Sequence, residues 1–269
     1  ASANQVSLAA DADIPGLQRL TAAVHAQGVP ILAQISHAGS AAHRAITGQE
    51  VISASAVPNP SRAASVHGQP EFPREMTQGD IQCIIQAFVD AAARAQQAGY
   101  DGVEIHSAHG YLLDQFYSPL TNRRTDDYTG RTLEGRTRLQ VEIIQAIRRR
   151  LGKDFVLSLR LGGSDYMDGG AVCAEVGQAA KLFEAAGLDM LSLSGGMSFF
   201  FRPGHTEAGY FAELAEAAKT GTTLPVMLTG GIADGAEAET FLEKGQADLI
   251  GIGRAALRDH QIYQKILSM

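Results

Sequence analysis

"YDGVEIHSAHGYLLDQF", residues Tyr100 to Phe116, passes from a strand pattern to the start of a helix within a few residues. Its first part, "YDGVE", is typical of a buried strand, and "LLDQF" begins a helical pattern. Between them stand His106, His109 and Tyr111. The stretch therefore predicts a strand-to-helix corner that carries three side chains capable of chemistry.

Two further segments repeat the first half of this stretch. "AGYDGVEI", "AGLDMLSLS" and "GQADLIGIG" each lead from a small residue or glycine at a helix end, through an aspartate, into a short apolar strand. A glycine that ends a helix, followed by a continuous apolar strand, is typical of the αβ corner of a parallel sheet. Three such corners in one chain predict repeated βα units.

The whole chain predicts six strands with helices between them. The expected strands are Ile31–Ile35, Gly102–His106, Val156–Arg160, Met190–Leu193, Val226–Thr229 and Leu249–Ile252. A helix before the first strand ends at Gly28, a second begins at Thr77 with Asp80 in an acidic capping box, and "EGRTRLQVEIIQAIRRRL" forms a third. Shorter helices are expected at about Glu175–Ala186, Glu207–Lys219 and Gly235–Lys244.

Alternating strands and helices leave two architectures open, a closed (β/α) barrel and an open doubly wound sheet. No GxGxxG turn follows the first strand, which weakens the second. Segment Ser36–Met76 has little periodicity and is expected to be a functional loop. We therefore predict a TIM (β/α)8 barrel, in which polar residues at the strand ends share one catalytic face. These residues are Gln34, His37, His106, Arg160, Ser194, Gly230, Gly231, Gly253 and Arg254.

Composition restricts the partners. The chain has 269 residues, of which 45% are hydrophobic and 19% charged, so it can bury a large core. Its formal net charge of −7 argues against nucleic acid or an anionic membrane as the main partner. Only Cys83 and Cys173 are present, too few for a disulfide framework or a CxxC metal site. A reducing, cytoplasmic compartment is expected, and no apolar run approaches the length of a membrane span.

Glycines end the last two predicted strands, in "LTGGIADG" and "IGIGRAAL". Gly230, Gly231 and Gly253 would expose main-chain N–H groups to an anion, and Arg254 would add a bidentate donor suited to phosphate. In barrels the phosphate site commonly lies after strands seven and eight. The alternative is that these glycines only make tight turns, and we favour the phosphate site.

Arg160 and Gln34 end two other predicted strands. A buried arginine must find an anion or a polar acceptor, which could be a ligand or a carboxylate such as Asp165. The Gln34 amide could bind the edge of a ligand ring or neighbouring backbone. Both pairs of alternatives stay open from these residues alone.

The histidine corner has three interpretations. Two neutral imidazoles at His106 and His109 can polarise a carbonyl or nitro oxygen, with Tyr111 as proton donor. Alternatively the HxxH spacing supplies two zinc ligands, with Glu104 or Asp114 nearby. A third possibility is a pair of satisfied core histidines. The position at a barrel mouth favours a functional role.

The sequence resembles the old yellow enzyme family of FMN-dependent ene reductases, including the small bacterial ene reductases and the flavin domain of bacterial 2,4-dienoyl-CoA reductases. The matching segments are "AQISHAG", "GYDGVEIHSAHGYLLDQFYSPLTNRRTDDYTG", "LRLGGSDYMDGG", "VMLTGGI" and "ADLIGIGRA". They span about Ile14 to Leu257, and the His–x–x–His–Gly–Tyr corner with the residues after it is highly specific.

This resemblance implies a reaction. An FMN-dependent enzyme would reduce the activated C=C bond of α,β-unsaturated carbonyl or nitro compounds, using NADH or NADPH. His106 and His109 would bind the substrate oxygen, and Tyr111 would donate the proton to the α-carbon. Gln34 and Arg160 would hold the pyrimidine edge of the flavin. Its phosphate would lie on Gly230, Gly231, Gly253 and Arg254, and no metal is implied.

Departures from the family pattern are minor except at the start. Gly39–Ser40 stands for "GR", Tyr128–Gly130 reads "YTG" for "YGG", and Glu134–Arg136 reads "EGR" for "ENR". Larger relatives carry an iron–sulfur cluster on a cysteine motif and a second nucleotide-binding domain. The two cysteines here are too few for the cluster, and neither feature is expected in residues 1–269. The family barrel opens with two strands before any residue seen here, so residues 1–269 would be one FMN-binding barrel domain holding strands three to eight.

A six-stranded arc would leave two unpaired edges. We therefore expect a fragment, a partner chain that supplies the missing strands and closes the barrel, or an incomplete flavin site; a homo-oligomer is the alternative to a partner chain. The rival functions are a metal-dependent barrel enzyme that uses the histidine pair as ligands, and a non-catalytic or split barrel that binds a partner.

Overall fold

Alternating strands and helices run through the computed structural model, which describes residues 5–65, 68 and 71–267. Its strands are β1 (Leu32–Ile35), β2 (Ile52–Ser53), β3 (Arg74–Glu75), β4 (Gly102–Ser107), β5 (Val156–Ser164), β6 (Met190–Gly195), β7 (Val226–Leu228) and β8 (Leu249–Ile250). Its helices are α1 (Ile14–His25), α2 (Arg44–Thr47), α3 (Gln78–Gln97), α4 (Leu112–Tyr117), α5 (Leu133–Leu151), α6 (Val176–Ala186), α7 (Ala212–Lys219), α8 (Gly235–Glu243), α9 (Arg254–Arg258) and α10 (Ile262–Leu267).

The six predicted strands form one parallel sheet in the order β1-β4-β5-β6-β7-β8. Each strand pairs with the next one along the sheet, which requires a crossover connection, and helices supply it. This confirms the predicted α/β class and its parallel strands. Within the described residues, β1 pairs only with β4 and β8 only with β7, so closure of the sheet into a barrel is not seen. Strands β2 and β3 form a separate parallel pair.

The two faces of the sheet differ in chemistry because successive side chains of a strand alternate. One face is apolar and packs against the helices; its fully buried members are Val103, Ile105, Leu157, Leu159, Leu191 and Leu193. The other, which we call the polar face, carries in register Gln34, Glu104, His106, Ser158, Arg160, Ser192 and Ser194. Burying the first set stabilises the fold by about 1.5–3 kcal/mol per side chain. The second set lies where a ligand could use it.

An aspartate before a strand recurs as a structural device, which we call the aspartate clamp. In each clamp the carboxylate accepts a hydrogen bond from an N–H at the start of the neighbouring strand, and binds a basic side chain from the helix before that strand. The N–H to carboxylate distances are 2.7, 2.8 and 2.9 Å. The clamps are Asp101 with Ile31 and His25, Asp189 with Leu157 and Arg148, and Asp248 with Val226 and Lys219. They explain the predicted "small–Asp–strand" repeat.

Most predicted helix ends are confirmed within a few residues. Thr77 caps α3, donating its N–H to Asp80 Oδ2 at 2.7 Å and accepting from the Asp80 N–H at 3.1 Å, as the capping box predicts. Helix α7 was expected from Glu207 but begins at Ala212. The intervening residues instead make a turn in which the Gly209 N–H donates to Gly230 O at 2.6 Å. Among the described residues, no helix is long and apolar enough to cross a membrane.

Candidate active site

Three rings meet where β4 ends and α4 begins. The ring centroids of His106 and His109 are 4.9 Å apart, and those of His106 and Tyr111 are 5.2 Å apart, both edge-to-face. His106 lies on β4, and Tyr111 is the residue that precedes the first turn of α4. The structure therefore brings these three side chains together, and their catalytic roles stay a prediction.

The backbone of this corner is in an uncommon conformation. His109 has φ of +63° and Gly110 has φ of +75°, so two successive residues are left-handed. The Gly110 N–H donates to Asp114 Oδ2 at 2.7 Å, and the His109 N–H donates to Gly195 O at 3.2 Å. These bonds fix the turn that brings the second histidine back over the strand end.

Buried amides tie the long loop before α3 to the corner. Gln115 Nε2 donates to Gly110 O at 2.7 Å and to Ala38 O at 3.1 Å. Asn59 Nδ2 also donates to Gly110 O, at 2.9 Å. Segment Ser36–Met76 therefore contributes support to the corner, although its residues 66, 67, 69 and 70 lie outside the described residues.

Burial keeps both imidazoles neutral at neutral pH. His106 is 3% exposed, and burial, with the nearby charge of Arg160, lowers its pKa to about 3. Burial, His106 and Arg160 lower the pKa of His109 well below its usual value. Burial raises the pKa of Tyr111, so its phenol stays protonated. The site thus offers neutral N–H donors and a phenol proton.

Arg160 lies beside His106 in the strand register. No carboxylate of the described residues forms a salt bridge with it. Its Nη2 donates to Ser194 Oγ at 3.4 Å, and that oxygen lies 2.7 Å from His109 Nε2. The Asp165 carboxylate, considered as its partner, instead accepts from Ser118, Ala171 and Met197. Burial lowers the pKa of Arg160 against the opposing charge of Glu104.

Gln34 is exposed on the first strand of the sheet. Its Nε2 donates to Glu104 Oε1 at 2.6 Å, and Ser158 Oγ donates to Glu104 Oε2 at 3.3 Å. The amide therefore binds a neighbouring carboxylate, which neither of its two predicted alternatives included. Its Oε1 remains an acceptor for a ligand N–H.

The glycine turns lie side by side because β7 pairs with β8. Gly230 and Gly231 have φ of +113° and +75°, and a Cβ added to Gly231 would lie 2.8 Å from Glu207 O, so glycine is required there. Arg254 is exposed, and its Nη2 donates to Tyr210 Oη at 2.8 Å. The structure brings all four predicted phosphate-site residues to the ends of two adjacent strands.

The polar face fits a flat heteroaromatic group that ends in a phosphate. Arg160 Nε and Ser192 Oγ are buried there without a hydrogen-bond partner among the described residues. Buried polar atoms normally have partners, so these two indicate a ligand edge rich in acceptors. At the other end of the face, the glycine turns and Arg254 supply the N–H donors that a phosphate requires. These residues fit FMN.

The zinc interpretation lacks a third ligand. In the part of the chain that the structure describes, no three His, Cys, Asp or Glu side chains are grouped as metal ligands. Asp114 accepts from the Gly110 N–H, and Glu104 binds Gln34 and Ser158.

Sequence reasoning missed Tyr210 and understated Ser194. Tyr210 is buried, and its hydroxyl binds both Arg254 and the Phe200 carbonyl. No local pattern marks it, because its partners are 10 and 44 residues away. Ser194 was grouped with the polar strand ends, but its contact with His109 depends on the pairing of β4, β5 and β6.

Comparison with known proteins agrees with this geometry. Residues 1–268 match the NADH:flavin oxidoreductase / NADH oxidase family. An NADH oxidase of Thermoanaerobacter brockii is 39% identical over 260 residues, covering 95% of this chain and 39% of its own length. The chain thus spans about two fifths of that relative.

Two solved structures share the fold. One is 2-naphthoyl-CoA reductase in complex with 2-naphthoyl-CoA, with a TM-score of 0.88 and 30% identity over 98% of this chain and 42% of its own. The other is an old yellow enzyme homologue from Zymomonas mobilis, with a TM-score of 0.82 and 25% identity over 96% and 74%. The chain belongs to the NADH:flavin oxidoreductase / NADH oxidase family, that of the old yellow enzymes.

Proposed function

We propose that this chain forms the catalytic domain of an FMN-dependent oxidoreductase that reduces activated C=C bonds with NADH or NADPH. The substrates would be α,β-unsaturated carbonyl or nitro compounds. The observation that carries the proposal is the cluster of His106, His109 and Tyr111, in which the neutral His109 imidazole and the protonated Tyr111 phenol have ring centroids about 5 Å from that of neutral His106.

His106 and His109 would bind the substrate oxygen. Neutral imidazole N–H groups stabilise the negative charge that grows on a carbonyl or nitro oxygen when the conjugated alkene accepts a hydride. An imidazolium would donate its proton outright, whereas a burial-lowered pKa keeps each ring a hydrogen-bond donor. The histidines would thereby draw electron density away from the β-carbon of the alkene.

Tyr111 would supply the proton. Its ring lies next to His106, at the same mouth, and its raised pKa keeps the O–H intact until the α-carbon becomes basic. The phenolate left behind would be reprotonated from solvent, because Tyr111 is only partly buried. FMN, when bound, supplies the hydride chemistry.

Residues of the polar face would hold the cofactor. Arg160 Nε and the Gln34 amide would bind the pyrimidine edge, and Ser192 Oγ lies on the same face. At the far end of the sheet, the N–H groups of Gly230, Gly231 and Gly253 and the guanidinium of Arg254 would bind the phosphate. The family membership supports FMN as the cofactor and a nicotinamide as the reductant.

We also propose that the six strands correspond to strands three to eight of a (β/α)8 barrel, in one domain over residues 1–269. The support is the likeness to old yellow enzyme structures and the unpaired outer sides of β1 and β8 among the described residues. Two more strands, from a partner chain or a longer form of this protein, would close it, and a homo-oligomer is the alternative assembly. The cytoplasmic location stays a prediction.

The two half-reactions test this proposal. In the flavin-loaded protein, Tyr111→Phe should slow reoxidation by an electron-poor alkene about 10²-fold or more while reduction by NAD(P)H keeps its rate. Stopped-flow absorbance of the flavin measures both steps. Tyr128→Phe is a matched control, since Tyr128 is buried on the helix side and its hydroxyl binds Glu142.

Equal slowing of both half-reactions in Tyr111→Phe would contradict the proton-donor role. The purified protein should be mixed with FMN and then freed of unbound FMN. A protein that is colourless after this treatment would contradict the proposed function as a whole.

A further inference from the structure

Three consecutive phenylalanines lie between the histidine corner and the glycine turns. Phe199, Phe200 and Phe201, which we call the aromatic wall, follow β6, with ring centroids 4.3 and 4.2 Å apart along the series. The centroids of Phe199 and Phe200 lie 5.5 and 6.1 Å from that of His109, both edge-to-face. The wall therefore forms part of the surface that surrounds the second histidine.

Arg254 rests on the other end of this wall. Its guanidinium carbon lies 5.7 Å from the centroid of Phe200 and 6.0 Å from that of Phe201. A guanidinium over aromatic rings at these distances is attracted by their quadrupoles. The arginine proposed for the phosphate is thus also a contact of the wall beside His109.

Tyr210 joins these two parts. Its hydroxyl accepts from Arg254 Nη2 at 2.8 Å and donates to the main-chain oxygen of Phe200 at 2.9 Å. Its ring is packed beneath the glycine turn, since a Cβ added to Gly230 or Gly231 would lie 2.9 or 3.1 Å from ring carbons of Tyr210. At 5% exposure, the side chain is held by all three neighbours.

We propose that Tyr210 is a positioning residue that couples binding at the phosphate site to the order of the aromatic wall. An arginine has five N–H donors in a planar fork, and Tyr210 uses one of them, so the others can bind a phosphate without breaking this contact. A bound phosphate would restrain the guanidinium, and through Tyr210 and its own contacts with the rings it would restrain Phe200 and Phe201. This inference rests on the proposed function.

The coupling runs in both directions. Because coupled sites affect each other reciprocally, a ligand that packs on the wall beside His109 would also tighten binding at the phosphate turn. The role of Tyr210 is therefore distinct from binding either ligand directly. Through Tyr210, the aromatic wall beside His109 would become fully ordered only when a phosphate is bound at the glycine turns.

Riboflavin, which lacks the phosphate, separates coupling from flavin binding. We expect amide hydrogen exchange of residues 197–203 to be about fivefold slower with saturating FMN than with saturating riboflavin. In Tyr210→Phe this difference should disappear while FMN still binds. Tyr263→Phe, which loses a hydroxyl that donates to Ile252 O near the same turn, should keep the difference.

A second variant keeps the test independent of the folding of Tyr210→Phe. Arg254→Lys retains a cation for phosphate but loses the planar contact with Phe200 and Phe201, so FMN should still bind more tightly than riboflavin without extra protection of the wall. Equal protection by FMN and riboflavin in the unaltered protein would overturn the inference. An unchanged difference in a folded Tyr210→Phe would overturn it as well, or in Arg254→Lys where Tyr210→Phe does not fold. If neither flavin binds, the proposed function itself fails, and the inference fails with it.

Discussion

At the amino ends of strands β1, β5 and β7, aspartate carboxylates bind both the main chain and a basic side chain, whereas buried polar atoms on the polar face of β4, β5 and β6 lack partners among the described residues. The first region satisfies its charges from within the chain. The second leaves His106 Nδ1, Arg160 Nε and Ser192 Oγ unpaired among the described residues. Unpaired buried polar atoms cost stability, so three of them together on one face of the sheet favour a ligand site there.

The largest difference between the two regions is expected in the rate of alkene reduction when a histidine of each is replaced by alanine. His106→Ala should slow alkene reduction about 10²- to 10³-fold, because one of two oxygen-binding donors is lost. His25→Ala, at a clamp, should leave that rate unchanged. Stopped-flow measurement of flavin reoxidation in both variants checks this. A comparable loss of rate in His25→Ala would mean that the clamp region and the polar face do not differ in function.

The clamps are expected to matter for stability alone. Asp189→Ala leaves the buried-strand Leu157 N–H without its acceptor and removes the carboxylate that pairs with Arg148, so it should lower the free energy of unfolding by about 2 kcal/mol. Urea unfolding of this variant measures the loss, and Asp154→Ala, at an exposed loop position, is the control. A loss below about 0.5 kcal/mol would show that the clamp is a surface ion pair of the ordinary kind.

The lowered pKa of His106 should make the stability of the protein depend on pH. The pKa of His106 falls from about 6.5 in the unfolded chain to about 3 in the folded one. Between these values the unfolded chain binds a proton that the folded chain does not, so folding weakens as the pH drops from about 6.5 towards 3. His106→Asn should flatten this slope, measured as urea midpoints at pH 7 and 5. Parallel slopes in the two proteins would mean that folded His106 accepts a proton readily.

The smallest effect is expected at Ser194. Ser194 Oγ accepts from Arg160 and lies 2.7 Å from His109 Nε2. We expect the serine hydroxyl to donate its hydrogen to that nitrogen, which would leave Nδ1–H as the donor of the ring. Ser194→Ala should slow alkene reduction about fivefold, equivalent to about 1 kcal/mol. Nitrogen-15 NMR of the histidines reports the tautomer directly. An unchanged tautomer in the variant would show that another group sets it.

Local sequence patterns were sufficient for the strands and most helix ends. Each strand is a short apolar run, and β4, β6 and β8 directly follow the clamp aspartates Asp101, Asp189 and Asp248, so this pattern repeats along the chain. The histidine corner was also predictable, because His106, His109 and Tyr111 are neighbours in sequence as well as in space.

Contacts between distant residues were not predictable. The bond between Gln34 and Glu104 spans 70 residues, and it exists only because β1 pairs with β4 in one register. The late start of α7 at Ala212 depends in the same way on the contact of Gly209 with Gly230. Helical propensity alone favoured the earlier start, and tertiary contacts overrode it.

The left-handed backbone of His109 has a consequence for attempts to improve this protein. A side chain in that conformation costs about 1–2 kcal/mol, within a total stability of about 5–15 kcal/mol for a folded domain. A library selected only for heat resistance would favour glycine or asparagine at position 109, and would discard a ring on which the proposed chemistry depends. Engineering for thermal tolerance should therefore hold this position constant and seek its gains at the opposite edge of the sheet.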